Sequence, residues 1–457
     1  MMDQSRRAFL QRAACLGIVG GAGPFVMNLA AIGEAAAATA SDYKAMVCIF
    51  LFGGNDYANT VIPYDQPSYD QYAALRSTIA IPRDQLAATV LLPNTALGGG
   101  RQYALPSTLA PLIPVFDAGD LAVVLNVGTL IQPTTKAQYT AKSVPLPPKL
   151  FSHNDQQSFW QASNPEGATS GWGGRIGDLL QSGNGTSTLT CISASGNSVF
   201  LSGRQAVQYS VTSTGPVPLL NNATNLFGSS AGMSALRGLM TGARTNLFED
   251  EHARVTKRSL DLQAQVAGAL AAGPTITTAF PANNTLADQL RIVARLISVS
   301  QELGAKRQVF FVSLGGFDTH DSVLTTHPVL MGRLGAAMRA FRDATVELNV
   351  ADRVTAFTAS DFGRTLTSNA DGSDHGWGSM HFVMGGAVNG RGFYGPPPAI
   401  ANNGPDDVGQ GRLLPALGVD QFGATLASWF GVSAGNMPTV LPNISNYNPS
   451  TWNLGFV

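Results

Sequence analysis

Residues 309–320 read Val309-Phe-Phe-Val-Ser-Leu314-Gly315-Gly316-Phe317-Asp318-Thr319-His320: an apolar, β-rich run that stops on two glycines, then an acid and a histidine. The pattern recurs on either side. Met46-Val-Cys-Ile-Phe-Leu-Phe52 leads into Gly53-Gly54-Asn55-Asp56, and Val354-Thr-Ala-Phe-Thr-Ala359 leads into Ser360-Asp361-Phe362-Gly363-Arg364. A fourth segment, Asp371-Gly-Ser-Asp374-His375-Gly-Trp377, follows shortly. Short β-rich runs separated by helical stretches read as parallel strands. An amphipathic stretch over 286–303, with Leu290, Val293, Ile297 and Val299 inward, feeds the second strand, and 329–348 feeds the third. That alternation is the rhythm of an α/β fold with a mostly parallel sheet. Ligands of such sheets bind in the crevice at the carboxyl ends of the strands. Acids and histidines gathered there make a candidate metal site.

The first forty residues read as an export address. Ser5-Arg6-Arg7-Ala8-Phe9-Leu10 is a twin-arginine signature, a Gly/Ala-rich apolar run follows, and Ala36–Ala40 offers small-residue cleavage sites. Glycines at 17, 20, 21 and 23 with Pro24 weaken the alternative of a membrane-spanning anchor. The expectation is passage through the twin-arginine translocase and a periplasmic or secreted mature chain of residues 41–457.

Cleavage after Ala40 removes Arg6, Arg7, Arg12, Asp3 and Glu34, so 28 basic and 29 acidic residues fall to 25 and 27. A balance so near neutrality, with no clustered basic stretch, excludes a nucleic-acid footprint. No later apolar run is long enough to span a membrane. The mature chain reads as one α/β domain, with 202–285 as a peripheral helical insertion or cap. No internal repeat is visible. Cys48 and Cys191 lie in apolar strand-like runs; the exported compartment permits a disulfide, but runs of this kind favour buried free thiols.

Divalent metals need carboxylates and neutral imidazoles converging from separate segments. Asp56, Asp318 and Asp361 each follow a strand, His320 stands two residues past Asp318, and His375 and His381 flank a Trp/Gly loop. Any one of these acids is equally well read as a cap or loop bridge to backbone amides. Repetition at independent strand ends favours metal or anion binding for the set. His327, beside Pro328 at an expected helix start, and His252, in a charged helix, are discounted. Gly228-Ser-Ser-Ala-Gly232 fits G-x-S-x-G but lacks the buried strand that a nucleophile elbow requires. Asn369–Asp374 has the look of a calcium turn without the distal bidentate acid.

Leu51-Phe-Gly-Gly-Asn-Asp56 with Asn59-Thr60, Ser152-His153 with Gln156, Gly171-Trp-Gly-Gly-Arg175, Gly315–His320, Ser360–Thr365 and Asp374–Trp377 together resemble one family in order and spacing. It is the twin-arginine-exported family catalogued as domain of unknown function 1501, similar to a distant branch of the alkaline phosphatase and sulfatase superfamily. The resemblance implies an alkaline-phosphatase-like core, with helices on both faces of the sheet and a metal site at the strand ends. It sets Asp56 at the first-strand metal acid, Asp318 and His320 at a later acid and histidine, Asp361 at the acid of an Asp-His pair, and His375 at the last ligand histidine. Phe362 stands where that pair would have its histidine, which points away from a full two-metal site. The implied cofactor is a divalent ion: zinc, manganese or calcium.

In that superfamily a hydroxyl or modified cysteine attacks the phosphorus or sulfur. Ser152, next to His153, is the first candidate nucleophile and Thr60 the second; the alternative for Ser152 is a helix N-cap. Arg364 and Arg175 are candidate anion binders, since a guanidinium fork suits phosphate or sulfate. Either is equally a structural partner of a loop carboxylate. The expected activity is hydrolysis or transfer of phosphate or sulfate esters. The alternative is a non-catalytic relative that binds or assembles a cell-envelope component.

Overall fold

Side chains along Lys44–Phe52 (β1) build both halves of the core at once. Ala45, Val47, Ile49 and Leu51 enter one buried cluster, and Met46, Cys48 and Phe50 enter the other. A strand buried on both faces has no polar alternation, so it reads in sequence as an unbroken apolar run. The computed structural model describes residues 43–220 and 224–457; the expected signal over 1–40 lies outside the described residues.

Ten strands of the described residues form one sheet. They are β1, β2 (Leu121–Gly128), β3 (Cys191–Ser193), β4 (Tyr209–Thr212), β5 (Gly215–Pro216), β6 (Arg307–Gly315), β7 (Val354–Ser360), β8 (Ser379–Met384), β9 (Gly392–Tyr394) and β10 (Leu417–Gly418). Their order is β9-β2-β8-β7-β1-β6-β3-β4-β5, with β10 also against β2. All run parallel except β8 and β5. The fold is α/β with a mostly parallel sheet, as the three strand-like runs predict.

The longer helices are α1 (Gln66–Leu75), α2 (His153–Ala162), α3 (Trp172–Leu180), α4 (Ser230–Thr241), α5 (Leu247–Ala272), α6 (Thr285–Ser298), α7 (Val323–Glu347) and α8 (Val419–Phe430). One face of the sheet packs on α6 and α7 through Leu290, Val293, Ile297, Met331, Leu334 and Phe341. The other packs on α2, α3 and α8 through Trp160, Trp172, Ile176, Phe422 and Leu426. Cys48 and Cys191 are free thiols buried on that second side.

Val199–Leu201 is a 3-10 turn in which the Ser198 hydroxyl takes the Phe200 N–H. Within 202–285, β4 and β5 extend the sheet edge before the α4–α5 hairpin. One local expectation is corrected. Helix α7 starts at Val323, and Pro328 lies inside it. Asp371 accepts from the N–H groups of Ser322 and Val323 (both 3.0 Å) and so nucleates the helix ahead of the proline. No helix among the described residues is long and apolar enough to cross a membrane.

Register levels the strand ends. Phe52 pairs with Gly315 and Leu51 with Ser360, so Gly53, Gly316–Asp318 and Asp361 emerge at one edge. The hairpin of Arg364–Ser368 and Ser373–His375 folds across that edge.

Candidate metal centre

His153, Asp318 and His375 bring one ligand atom each within 4.8 Å of one another. His153 begins α2, Asp318 follows β6, and His375 ends the hairpin beyond β7. His153 Nε2 lies 3.0 Å from His375 Nε2 and 3.5 Å from Asp318 Oδ1. His375 Nε2 is 3.3 Å from the same carboxylate oxygen. His320 approaches from the exposed side, its Nε2 2.9 Å from His375 Nε2 and 3.1 Å from Asp318 Oδ1.

Each imidazole is held from behind by an acceptor. His153 Nδ1 donates to Asp361 Oδ2 at 2.6 Å, His320 Nδ1 to Asp374 Oδ1 at 3.2 Å, and His375 Nδ1 to the Phe151 carbonyl at 2.7 Å. A carboxylate or carbonyl behind Nδ1 fixes the proton there and leaves the Nε2 lone pair facing forward. Three such lone pairs with Asp318 Oδ1 repel one another unless a cation lies among them. Ligand atoms of a tetrahedral zinc lie about 3.3 Å apart for bonds of about 2.0 Å. The spacings here match that, and carboxylate-backed histidine is the usual outer shell of a metal ligand. These donors therefore fit a single divalent ion.

The supporting backbone is specific. Gly53 has φ +115°, and a Cβ there would run into the Phe317–Asp318 backbone; its N–H donates to Asp361 Oδ2 at 3.1 Å. Gln157, one turn along α2 from His153, donates to the same oxygen at 2.8 Å. Phe151 lies at φ +73°, an uncommon conformation for an aromatic residue, and accepts the His375 proton from it. Strain at such positions collects at functional sites. Phe362 is buried beneath the cluster, with ring centroids 4.9 Å from His153 and 4.8 Å from His375.

Electrostatics separate the two inner histidines. The hydrogen bond to Asp361 raises the His153 pKa against the effect of burial. Burial lowers that of His375, against its bond to the Phe151 carbonyl. For Asp318, burial pushes upward, but the Arg364 hydrogen bond and charge, with the nearby imidazoles, outweigh it and hold the carboxyl low.

Of the sequence candidates, the structure gathers His153, Asp318, His320 and His375. Asp361 stands behind His153, with Oδ2 taken up by His153, Gln157 and Gly53 and a buried Oδ1 that meets no hydrogen-bond partner among the described residues. Asp56 is drawn away as the fully buried ion-pair partner of Arg76. Thr60 is buried and donates to the Asp56 carbonyl at 2.8 Å, which withdraws it as a nucleophile. Ser152 precedes α2 but turns its hydroxyl to Asp155 Oδ2, 3.0 Å away. Arg364 is buried and committed to Asp318 Oδ1 (2.6 Å) and two backbone carbonyls. Arg175 is buried too, spending its nitrogens on the carbonyls of Val440, Ala162 and Ser170. Neither guanidinium is open to a substrate anion. His381, expected over the same edge, is buried in β8 against Trp160.

Asp374, Gln157 and the Phe151 carbonyl escape the sequence reading. Asp374 alone left a trace, since it directly precedes His375 in the quoted segment.

Among solved structures the chain is similar to Ps i-CgsB in complex with k-i-k-neocarrahexaose (11% identity, TM-score 0.35, covering 90% of this chain and 78% of that one). It is similar to the lipoteichoic acid synthase LtaP from Listeria monocytogenes (8%, 0.35, 89% and 77%). It is also similar to the PsFucS1 sulfatase from Pseudoalteromonas sp. (8%, 0.30, 94% and 72%). No curated protein sequence matches the chain. Residues 43–421 match the family described as Protein of unknown function (DUF1501), and the chain belongs to that family.

Proposed function

We propose that the protein is an exported, metal-dependent hydrolase or transferase of phosphate or sulfate esters. One observation carries the reading: imidazoles 153, 320 and 375 aim Nε2 at the Asp318 carboxylate while an acceptor holds each Nδ1. Imidazole-rich sets suit zinc or manganese better than calcium, which prefers all-oxygen shells. A divalent ion held there supplies Lewis acidity toward an ester oxygen and charge for its anionic group.

His153, Asp318 and His375 serve as the inner donors. Asp361 and the Phe151 carbonyl hold the His153 and His375 rings in place. Arg364 keeps Asp318 ionised and aimed. His320, whose side chain is 45% exposed, borders the solvent side of the cluster. With Asp374 behind it, its Nε2 is suited to hold or pass a proton as the ester bond breaks. The substrate is an anionic ester from, or delivered to, the cell envelope, consistent with the twin-arginine signature in the sequence.

The engagement of Ser152 and Thr60 elsewhere favours a second reading, a non-catalytic relative that binds a cell-envelope component through the same centre. Elemental analysis of untagged mature protein, followed by assays with p-nitrophenyl phosphate and sulfate, separates the two. Stoichiometric zinc or manganese with turnover abolished in His375→Ala supports the enzyme. Metal without turnover supports the binding protein. A chain that takes up neither ion after incubation with both removes the metal centre from either reading.

A further inference from the structure

We infer that Arg412 is the anion-recognition residue of this centre; the inference rests on the metal-ester reading above. An anionic substrate needs positive charge beyond a single divalent ion, and Arg364 and Arg175, the two arginines the sequence offers for that role, are sealed into the fold. Arg412 is different. It is half-buried, and its Nε donates to the His375 carbonyl at 3.1 Å. Its guanidinium lies over the Phe151 ring, 4.5 Å from the centroid. Phe151 is also the residue whose carbonyl holds His375 Nδ1. One guanidinium therefore touches both His375 and the residue that holds its ring.

The segment carrying it is fixed. Gly411 O accepts from Leu366 N–H (2.8 Å), Leu413 O from Gly378 N–H (2.8 Å), and Arg412 O from Val408 N–H (3.0 Å). With Nε and the ring face engaged, the two terminal nitrogens have no hydrogen-bond partner among the described residues and are not sealed from solvent. This is a guanidinium pre-oriented by stacking, with its fork left open, the geometry that binds phosphate or sulfate oxygens in bidentate fashion. Lys149 is no substitute, because its flexible ammonium is 69% exposed and lies 3.6 Å from Asp155.

The test is calorimetric titration of inorganic phosphate into the full mature protein, metal-loaded and chelator-treated, for wild type, Arg412→Gln and Arg412→Lys. Zinc affinity is measured on the same samples. Loss of two charge-assisted hydrogen bonds predicts phosphate affinity lowered about tenfold or more in Arg412→Gln. Arg412→Lys should recover part of it, with zinc affinity unchanged in both. Unchanged phosphate affinity in Arg412→Gln overturns the inference, as does a loss that only tracks weakened zinc binding, which marks a positioning role. A wild type that binds no zinc refutes the metal reading by itself. Phosphate binding to that metal-free protein, lost in Arg412→Gln, would still uphold Arg412; no phosphate binding at all would overturn it as well.

Discussion

Asp361 lies directly behind His153, accepting the Nδ1 proton at 2.6 Å from a fully buried carboxylate. The bond does two things at once. It fixes the tautomer that turns Nε2 toward His375 and Asp318, and it makes that nitrogen a stronger donor.

Asp361→Ala is therefore expected to weaken zinc binding by about 10- to 100-fold, the usual cost of losing such a backing group. Asp361→Asn, which keeps an acceptor but not the charge, should fall between. Competition with a chromophoric chelator reads both. Equal zinc affinity in wild type and Asp361→Ala would show that His153 is not a ligand.

Gly53→Ala tests the turn on which that pair depends. A methyl at φ +115° would meet the Phe317–Asp318 backbone and push apart the ends of β1 and β6. The expected destabilisation is about 3 kcal/mol or more, combining a strained backbone with overpacking. Zinc retention should fall with it, because Gly53 N–H anchors Asp361. A melting temperature within a degree or two of wild type would contradict this account.

The strands were legible because burial on both faces writes itself into sequence as continuous apolar runs. The helices α6 and α7 were legible from their apolar periodicity. The candidate site was legible in part. Asp318, His320 and His375 stand close to strand ends, and position alone brings them together. Asp56 obeys the same pattern, yet the turn at Gly53 and Gly54 sends it elsewhere, to an arginine twenty residues on that nothing in the sequence marks as buried. Asp361 was correctly placed at the edge, but which way a carboxylate faces depends on Gln157 and His153, more than 200 positions away. Arg364 and Arg175 show the same limit: a guanidinium that will be buried looks no different in sequence from one that binds substrate.

Asp56 and Arg76 supply a contrasting expectation. Both side chains are fully buried, and Arg76 also donates to the carbonyls of Thr365 (2.9 Å) and Leu366 (3.2 Å), tying α1 to the hairpin. Arg76→Met leaves Asp56 uncompensated in the interior, a change that costs about 3–5 kcal/mol. Urea denaturation should show this loss. The zinc affinity of the protein that remains folded should stay near wild type, since Asp56 is not among the ligands. A tenfold fall in affinity without a stability change would return Asp56 to the metal centre.

The acid limb of stability follows from two histidines outside the centre. Burial depresses His381 to about 3 and His327 to about 4, from an ordinary value near 6.5. Both are neutral in the folded chain, so their stabilisation is fully present above pH 6.5. As pH falls below that, the unfolded chain takes up protons that the folded one refuses. At pH 5 each histidine has forfeited about 2 kcal/mol. Neither ring nitrogen of His381 meets a well-formed hydrogen-bond partner among the described residues, and the ring lies against Trp160 and Phe422, with ring centroids 4.9 and 6.0 Å away. Phenylalanine suits that aromatic niche and cannot titrate. His381→Phe should match or exceed wild-type stability at pH 7, and its loss between pH 7 and pH 5 should be smaller by about 2 kcal/mol. Urea titrations at the two pH values give the difference directly, and contributions from the histidines of the centre cancel between variant and wild type. An undiminished loss in the variant would mean that His381 is already protonated, or hydrated, inside the fold.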